Sequence, residues 1–187
     1  MFQCVFSLTP FREFADEHPS CEVVGTDLSP IQPRWVPTNL LFEIDNAAEI
    51  PWTWKNDTFD FVHIRYLFGA IPDWGALFKE AFRVTKSDGW LQSCEVDVNF
   101  YSDDGTADTE STLKMWGRLY SEGGAKTGLT FDVVKDGLQK PAMEAAGFVD
   151  VQVADYKLPV GGWAQDEKLA EVGKFVKLTM ENDVEGE

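Results

Sequence analysis

The chain has 187 residues, 16 of them basic and 32 acidic, for a net charge of -16 with 44% hydrophobic content. One substantial core fits that length, so a single domain over residues 1–187 is expected. The charge argues against an extended nucleic-acid footprint or a polybasic membrane contact, because both need clustered Lys and Arg.

The chain then reads as alternating strands and helices. Phe2 to Leu8 is a short apolar run meeting Thr9-Pro10, and Phe11 to Glu17 can form a helical segment before His18-Pro19-Ser20 breaks it. Cys21 to Thr26 is a short strand ending at Asp27, Pro30 to Pro37 is a loop, and Leu40 to Ile44 is a second strand ending at Asp45. Asp57-Thr58-Phe59-Asp60 leads into the apolar strand Phe61 to Arg65. From Trp74 to Val84, apolar residues at 74, 77, 78, 81 and 82 make a helical stripe. Lys86-Ser87-Asp88-Gly89 closes that helix, and Trp90 to Cys94 makes the next strand. The acidic stretch Asp97 to Glu110 reads as a solvated connection. Thr109 to Ser121 and Phe131 to Ala146 are predicted helices, the second with Gly147 as a C-cap. Val149 to Tyr156 alternates as a further strand, and Glu167 to Met180 is a final helix. This order favours an α/β sheet covered by helices on both faces.

Cys4, Cys21 and Cys94 have no metal-ligand spacing, and the two histidines lie far apart, so no metal site is expected and the thiols suit a reducing interior. No apolar run reaches the roughly 18 residues of a membrane span. Met1 to Leu8 lacks a basic n-region. These features predict a soluble protein of the cytoplasm or nucleus with no nucleic-acid or membrane partner.

In an open parallel sheet, ligands bind outside the carboxyl ends of the strands. Asp27 and Asp45 both follow strands and fall on that edge, where a carboxylate can accept both hydroxyls of a ribose. Each is equally readable as a turn or cap residue. His63 sits in an apolar strand, where a structural histidine and a base are both open. Arg65 could pair with Asp73 or Glu95 and hold a loop, and Trp52, Trp54 and Trp90 read as packing residues or as walls of an apolar pocket.

Several runs carry a resemblance. They include Phe14-Ala15-Asp16-Glu17-His18-Pro19, Val24-Gly25-Thr26-Asp27-Leu28-Ser29-Pro30-Ile31-Gln32-Pro33 and Trp35-Val36-Pro37. Phe42-Glu43-Ile44-Asp45, Pro51-Trp52-Thr53-Trp54, Phe59 to Arg65, Glu80-Ala81-Phe82-Arg83, Gly89-Trp90-Leu91 and Glu95 continue it. Together they resemble fungal class I S-adenosylmethionine-dependent methyltransferases, the group that includes regulators of fungal secondary metabolism. The resemblance implies a Rossmann-like α/β sheet, S-adenosylmethionine as cofactor and a small-molecule acceptor of the secondary-metabolite type. It places Asp27 on the ribose hydroxyls with Leu28 beside it, and Asp45, Asn46 and Ala47 around the adenine. Arg65 falls toward the methionine side of the cofactor. His63 and Glu95 become the candidate catalytic residues, in a family where catalysis is mostly placement.

The chain departs from that family at both ends. The stretch Phe6 to Phe11, where the family places a glycine-rich cofactor loop, contains no glycine. The acid that usually ends the first strand is absent too. Beyond Asp166 the family continues into a final strand for which this chain has no candidate. The expectation is therefore a methyltransferase sheet with a degenerate first strand and glycine loop and no last strand. Two further readings follow: an inactive methyltransferase-like protein serving as a binding or regulatory partner, or a fragment of a longer gene product. In either case, a protein partner covering the incomplete sheet edge is expected.

Overall fold

The computed structural model describes residues 2–5, 8–30, 35–109 and 111–184. Its elements in chain order are β1 (Phe2–Val5), α1 (Leu8–Glu17), β2 (Val23–Asp27), β3 (Leu40–Ile44), β4 (Phe59–Arg65), α2 (Trp74–Val84) and β5 (Thr85–Cys94). After these come α3 (Thr106–Thr109), α4 (Ser111–Thr127), α5 (Gln139–Ala146) and α6 (Glu167–Val184). The strands form one sheet in the order β3-β2-β1-β4-β5. Every neighbouring pair is parallel. Such a reversal of strand order about β1 is the Rossmann-like arrangement that the sequence predicts. Despite its altered sequence, β1 occupies the centre, pairing Phe2 with both Val23 and Phe61.

Adjacent residues of β2 show that both faces are covered. Val23 joins Phe11, Ala15 and Leu40 in a small core under α1, whereas Val24 joins the larger core of Phe59, Val62, Ile64, Leu77 and Phe78. Successive strand side chains point to opposite faces, so one dipeptide belongs to two cores. α2 starts where Asp73 accepts a hydrogen bond from the Ala76 N–H at 2.9 Å. It buries Trp74, Leu77, Phe78 and Ala81. Phe82, the fifth residue of the predicted stripe, stays 44% exposed and packs its ring edge on Phe148.

The far end of α2 carries a polar clamp. The Arg83 guanidinium donates to the Glu80 carboxylate at 2.7 Å, to the Trp54 carbonyl at 2.8 Å and to the Trp52 carbonyl at 3.1 Å. Glu80 also accepts the Trp52 N–H at 3.0 Å. The segment around Trp52, ahead of β4, and the segment around Arg83, after it, thus bind each other at the amino end of that strand.

Several sequence expectations are corrected. α1 begins at Leu8, with Pro10 inside its first turn, where a missing N–H is tolerated; Thr9-Pro10 is not a break. Phe6 and Ser7, within the glycine-lacking stretch, and residues 31–34 of the predicted loop lie outside the described residues. β5 starts directly at Thr85, because Asp88 at φ 64° and a register shift opposite Phe59 and Phe61 fold the Lys86–Gly89 turn into the strand. The helix predicted from Phe131 reduces to α5, since Gly137 at φ 60° ends the preceding turns in the left-handed region. Gly147 caps α5 in the left-handed conformation, as expected.

The strand predicted over Val149 to Tyr156 is absent. Asp150 at φ 54° interrupts the extension, and residues 151–159 pair with no strand. Val149, Val153 and Tyr156 are 82%, 63% and 85% exposed. Alternation alone does not make a strand; it needs a neighbour for its backbone groups. β5 ends the sheet, and no antiparallel strand follows it among the described residues.

The chain divides into two compact units, residues 1–151 and 152–187. The second is built on α6, whose Gly173 carbonyl accepts the Gly161 N–H at 2.8 Å. Among the described residues no helix is long and apolar enough to cross a membrane.

Candidate functional site at the carboxyl edge of the sheet

The carboxyl ends of β2 and β3 lie side by side, held by the hydrogen bond from the Asp45 N–H to the Asp27 carbonyl at 3.0 Å. Asp27 accepts the Ser29 N–H on Oδ1 at 2.9 Å, a turn that fixes its carboxylate at the strand end. Its Oδ2 has no hydrogen bond among the described residues. Leu28, next to it, is 55% exposed, and Ile44 is 65% exposed. A carboxylate flanked by open apolar surface offers what a nucleoside can use: acceptors for a diol, and a face for a base.

Asp45 accepts the Asn46 N–H at 2.8 Å. The Asn46 amide is used inside its own turn, accepting from the Ala48 N–H at 3.0 Å and donating to Glu49 at 3.2 Å. Ala47 is buried, and its carbonyl accepts the Trp52 indole N–H at 3.0 Å. Asp45 therefore sits beside Asp27 on the edge, while Asn46 and Ala47 shape the turn behind it.

On the other side of β1 the edge has a different character. Glu95 follows β5, and its Oε2 accepts the backbone N–H groups of Leu67 at 2.9 Å and Phe68 at 3.0 Å. The chain reaches them through Tyr66, which turns at φ 55° and is 46% exposed. Glu95 Oε1 is buried and has no hydrogen-bond partner among the described residues. Burial raises the Glu95 carboxyl to about 7, against the lowering effect of the two N–H groups. β1 and β4 lie between β2 and β5, so Asp27 and Glu95 are roughly 14 Å apart by strand spacing. One small group cannot touch both.

Arg65 ends β4, with its guanidinium 4.7 Å above the Tyr66 ring. Asp73 is occupied as the cap of α2, and the hydrogen bonds of Glu95 are to backbone N–H groups. His63 lies two residues back along β4. Its Nδ1 is 2.9 Å from Gln92 Oε1, which can only accept, so Nδ1 carries the hydrogen. Burial holds the imidazole below its ordinary value, and Arg65 adds to this against the Gln92 bond. The structure thus brings Asp27 and Asp45 together, sets Glu95 and Arg65 at the ends of β5 and β4, and keeps His63 on the face between those strands.

Sequence reasoning missed a row of six rings on the Glu95 side. Tyr66 meets Phe68 at 6.1 Å, Phe68 meets Phe131 at 6.1 Å, and Phe131 meets Tyr120 at 5.1 Å. Tyr120 meets Trp116 at 5.2 Å, and Trp116 meets Phe100 at 6.1 Å. None of the six is fully buried. The only local signal was Trp116 with Tyr120, four apart on a helix. The Asp97–Tyr101 part of the acidic connection packs against this row. Asp97 accepts Asn99 Nδ2 at 2.7 Å and the Tyr101 hydroxyl at 2.6 Å, which turns Phe100 onto Trp116. Of the tryptophans singled out earlier, Trp52 is buried and Trp54 packs on Phe59, whereas Trp90 is 72% exposed on β5.

Comparison with known proteins agrees with this architecture. A methyltransferase-domain family model matches residues 10–153. The Methyltransferase pytC of Aspergillus terreus is 34% identical over 171 residues, covering 91% of this chain and 52% of its own. The Secondary metabolism regulator LAE1 of Cochliobolus heterostrophus is 28% identical over 174 residues, covering 92% of this chain and 56% of its own. The Probable methyltransferase tdiE of Emericella nidulans is 34% identical over 155 residues, covering 83% and 47%. The chain spans about half the length of these relatives. A parallel sheet reversed about β1, carboxylates at its carboxyl edge and a family match over most of the chain lead to one assignment: the chain belongs to the methyltransferase-domain family.

Proposed function

We propose that this chain is an S-adenosylmethionine-dependent methyltransferase acting on a small-molecule acceptor of the secondary-metabolite type. The observation that carries this reading is the Asp27–Asp45 pair on adjacent strand ends, with one Asp27 oxygen uncommitted and Leu28 open beside it. Asp27 Oδ2 would accept the ribose hydroxyls. Leu28 would lie along the adenine, with Asp45 at its amino edge and Asn46 and Ala47 holding the turn. Arg65 would bring positive charge to the methionine carboxylate. The cofactor supplies an electrophilic methyl group, and the chain supplies placement. In this reading Glu95 faces the acceptor, and His63 keeps β4 and β5 in register through Gln92.

Calorimetric titration with S-adenosylmethionine and S-adenosylhomocysteine tests the proposal. Saturable binding is expected. A folded sample that binds neither would overturn it in favour of a methyltransferase-like binding partner, the reading that the glycine-free stretch before Phe11 favours.

A further inference from the structure

Glu95 combines two features that ordinary packing does not require. One oxygen is doubly bonded by the Leu67 and Phe68 N–H groups, and the other is buried with no partner. An unsatisfied buried acceptor is costly, and its retention calls for an explanation. Beside it, the aromatic row runs from Tyr66 through Phe68, Phe131, Tyr120 and Trp116 to Phe100, each ring keeping some surface exposed. A hydrophobic core would have buried these rings; a row that is half covered offers ring-sized apolar faces to something else. Phe68 joins the two features, since its backbone binds Glu95 and its ring belongs to the row.

We infer that this edge is a subsite for a flat aromatic alcohol, whose rings lie on the aromatic row and whose hydroxyl donates to Glu95 Oε1. The inference deepens the methyltransferase reading, on which it rests for calling the bound molecule the methyl acceptor. Oε1 is closed to bulk water, so the ligand reaches it by displacing a ring of the row, of which Tyr66 is the most exposed. The Tyr66 turn at φ 55° is a conformation that side chains adopt at a cost, and such turns concentrate at binding sites. It presents the next two N–H groups to Glu95 and so fixes the carboxylate before any ligand arrives. The specificity is of the hydrogen-bonding kind: an analogue without the hydroxyl leaves the buried oxygen unsatisfied.

The test uses 2-naphthol and 2-methoxynaphthalene as probes, titrated by calorimetry into the full chain, its Glu95→Gln variant and its Tyr120→Leu variant. S-adenosylhomocysteine is titrated in parallel. Wild type should bind 2-naphthol at least tenfold more tightly than the methyl ether. Glu95→Gln retains an oxygen for the Leu67 and Phe68 N–H groups but puts an amide donor at the other position, so it should lose that tenfold preference. Tyr120→Leu should weaken both probes several-fold. S-adenosylhomocysteine affinity should be equal in all three proteins. Normal S-adenosylhomocysteine binding with no preference for 2-naphthol, or with the preference intact in Glu95→Gln, would overturn the subsite alone. A 2-naphthol preference without S-adenosylhomocysteine binding would overturn the cofactor reading while leaving the aromatic-alcohol site standing. A fold lost in Tyr120→Leu leaves the Glu95→Gln comparison to decide.

Discussion

Glu80 and Glu95 lie at opposite ends of the β4–β5 half of the sheet. At the amino end, Glu80 is paired with Arg83, which also ties down the Trp52 and Trp54 carbonyls. The Arg83 hydrogen bond holds the Glu80 carboxyl below the usual carboxylate range, against the opposing effect of burial. At the carboxyl end, Glu95 has two N–H groups and no cation, and burial lifts it to about 7. The same residue type is satisfied at the amino end and left short of partners at the carboxyl end, where the proposed acceptor would complete it.

Removing the clamp should have the largest effect. Arg83→Ala leaves the Glu80 carboxylate nearly alone and should cost about 4 kcal/mol of stability in urea denaturation. S-adenosylhomocysteine affinity of the folded fraction should hold; a loss would mean that the two ends are not independent. Next comes the pH response of Glu95. Its folded pKa is raised, so its contribution is complete below the ordinary value of 4.5 and is lost as pH rises toward 7. Glu95→Gln should remove that slope, worth up to about 3 kcal/mol across the window. Denaturation series for both proteins at pH 4.5 and 7.5 check this, and parallel curves would assign the slope elsewhere. Glu80 runs the other way: its lowered pKa gives stability above 4.5 that is lost on acidification.

Asp27→Ala is expected to weaken S-adenosylhomocysteine binding roughly tenfold, about 1.4 kcal/mol, with little change in stability. An unchanged affinity removes Asp27 from the site. Lys86→Ala provides the baseline. Its ion pair with Asp60 at 2.9 Å joins side chains 42% and 61% exposed, so its loss should move stability by no more than about 0.5 kcal/mol. A larger change would show that surface pairing also matters at the amino end.

Local sequence patterns predict the strands well because each is a short apolar run with a polar stop. The run Leu40 to Ile44 matches β3 residue for residue, and Asp27 ends β2 as expected. Patterns fail where a partner or a backbone twist decides. Val149 to Tyr156 alternates like a strand but has no neighbour to pair with, and Asp88 hides the early start of β5. The site divides in the same way. Asp27 and Glu95 are visible from their positions after strands, because topology brings strand ends to one edge. The aromatic row is assembled from the β4–α2 loop, the acidic connection, α4 and the segment after α4, and no spacing in the chain foretells that meeting. The charge state of Glu95 is equally hidden, since it depends on the backbone of Leu67 and Phe68 arriving without a cation.

The assignment of Val23 and Val24 to different cores has a consequence for motion. Among the described residues, the core under α1 has Phe11, Ala15, Val23 and Leu40 as its buried members, fewer than the core under α2. Local opening should therefore start on the α1 side, at lower free energy than on the α2 side. Asp27 ends the strand that both cores share, so a ligand held there would slow amide hydrogen exchange first in α1 and β3, and only weakly in β4 and α2.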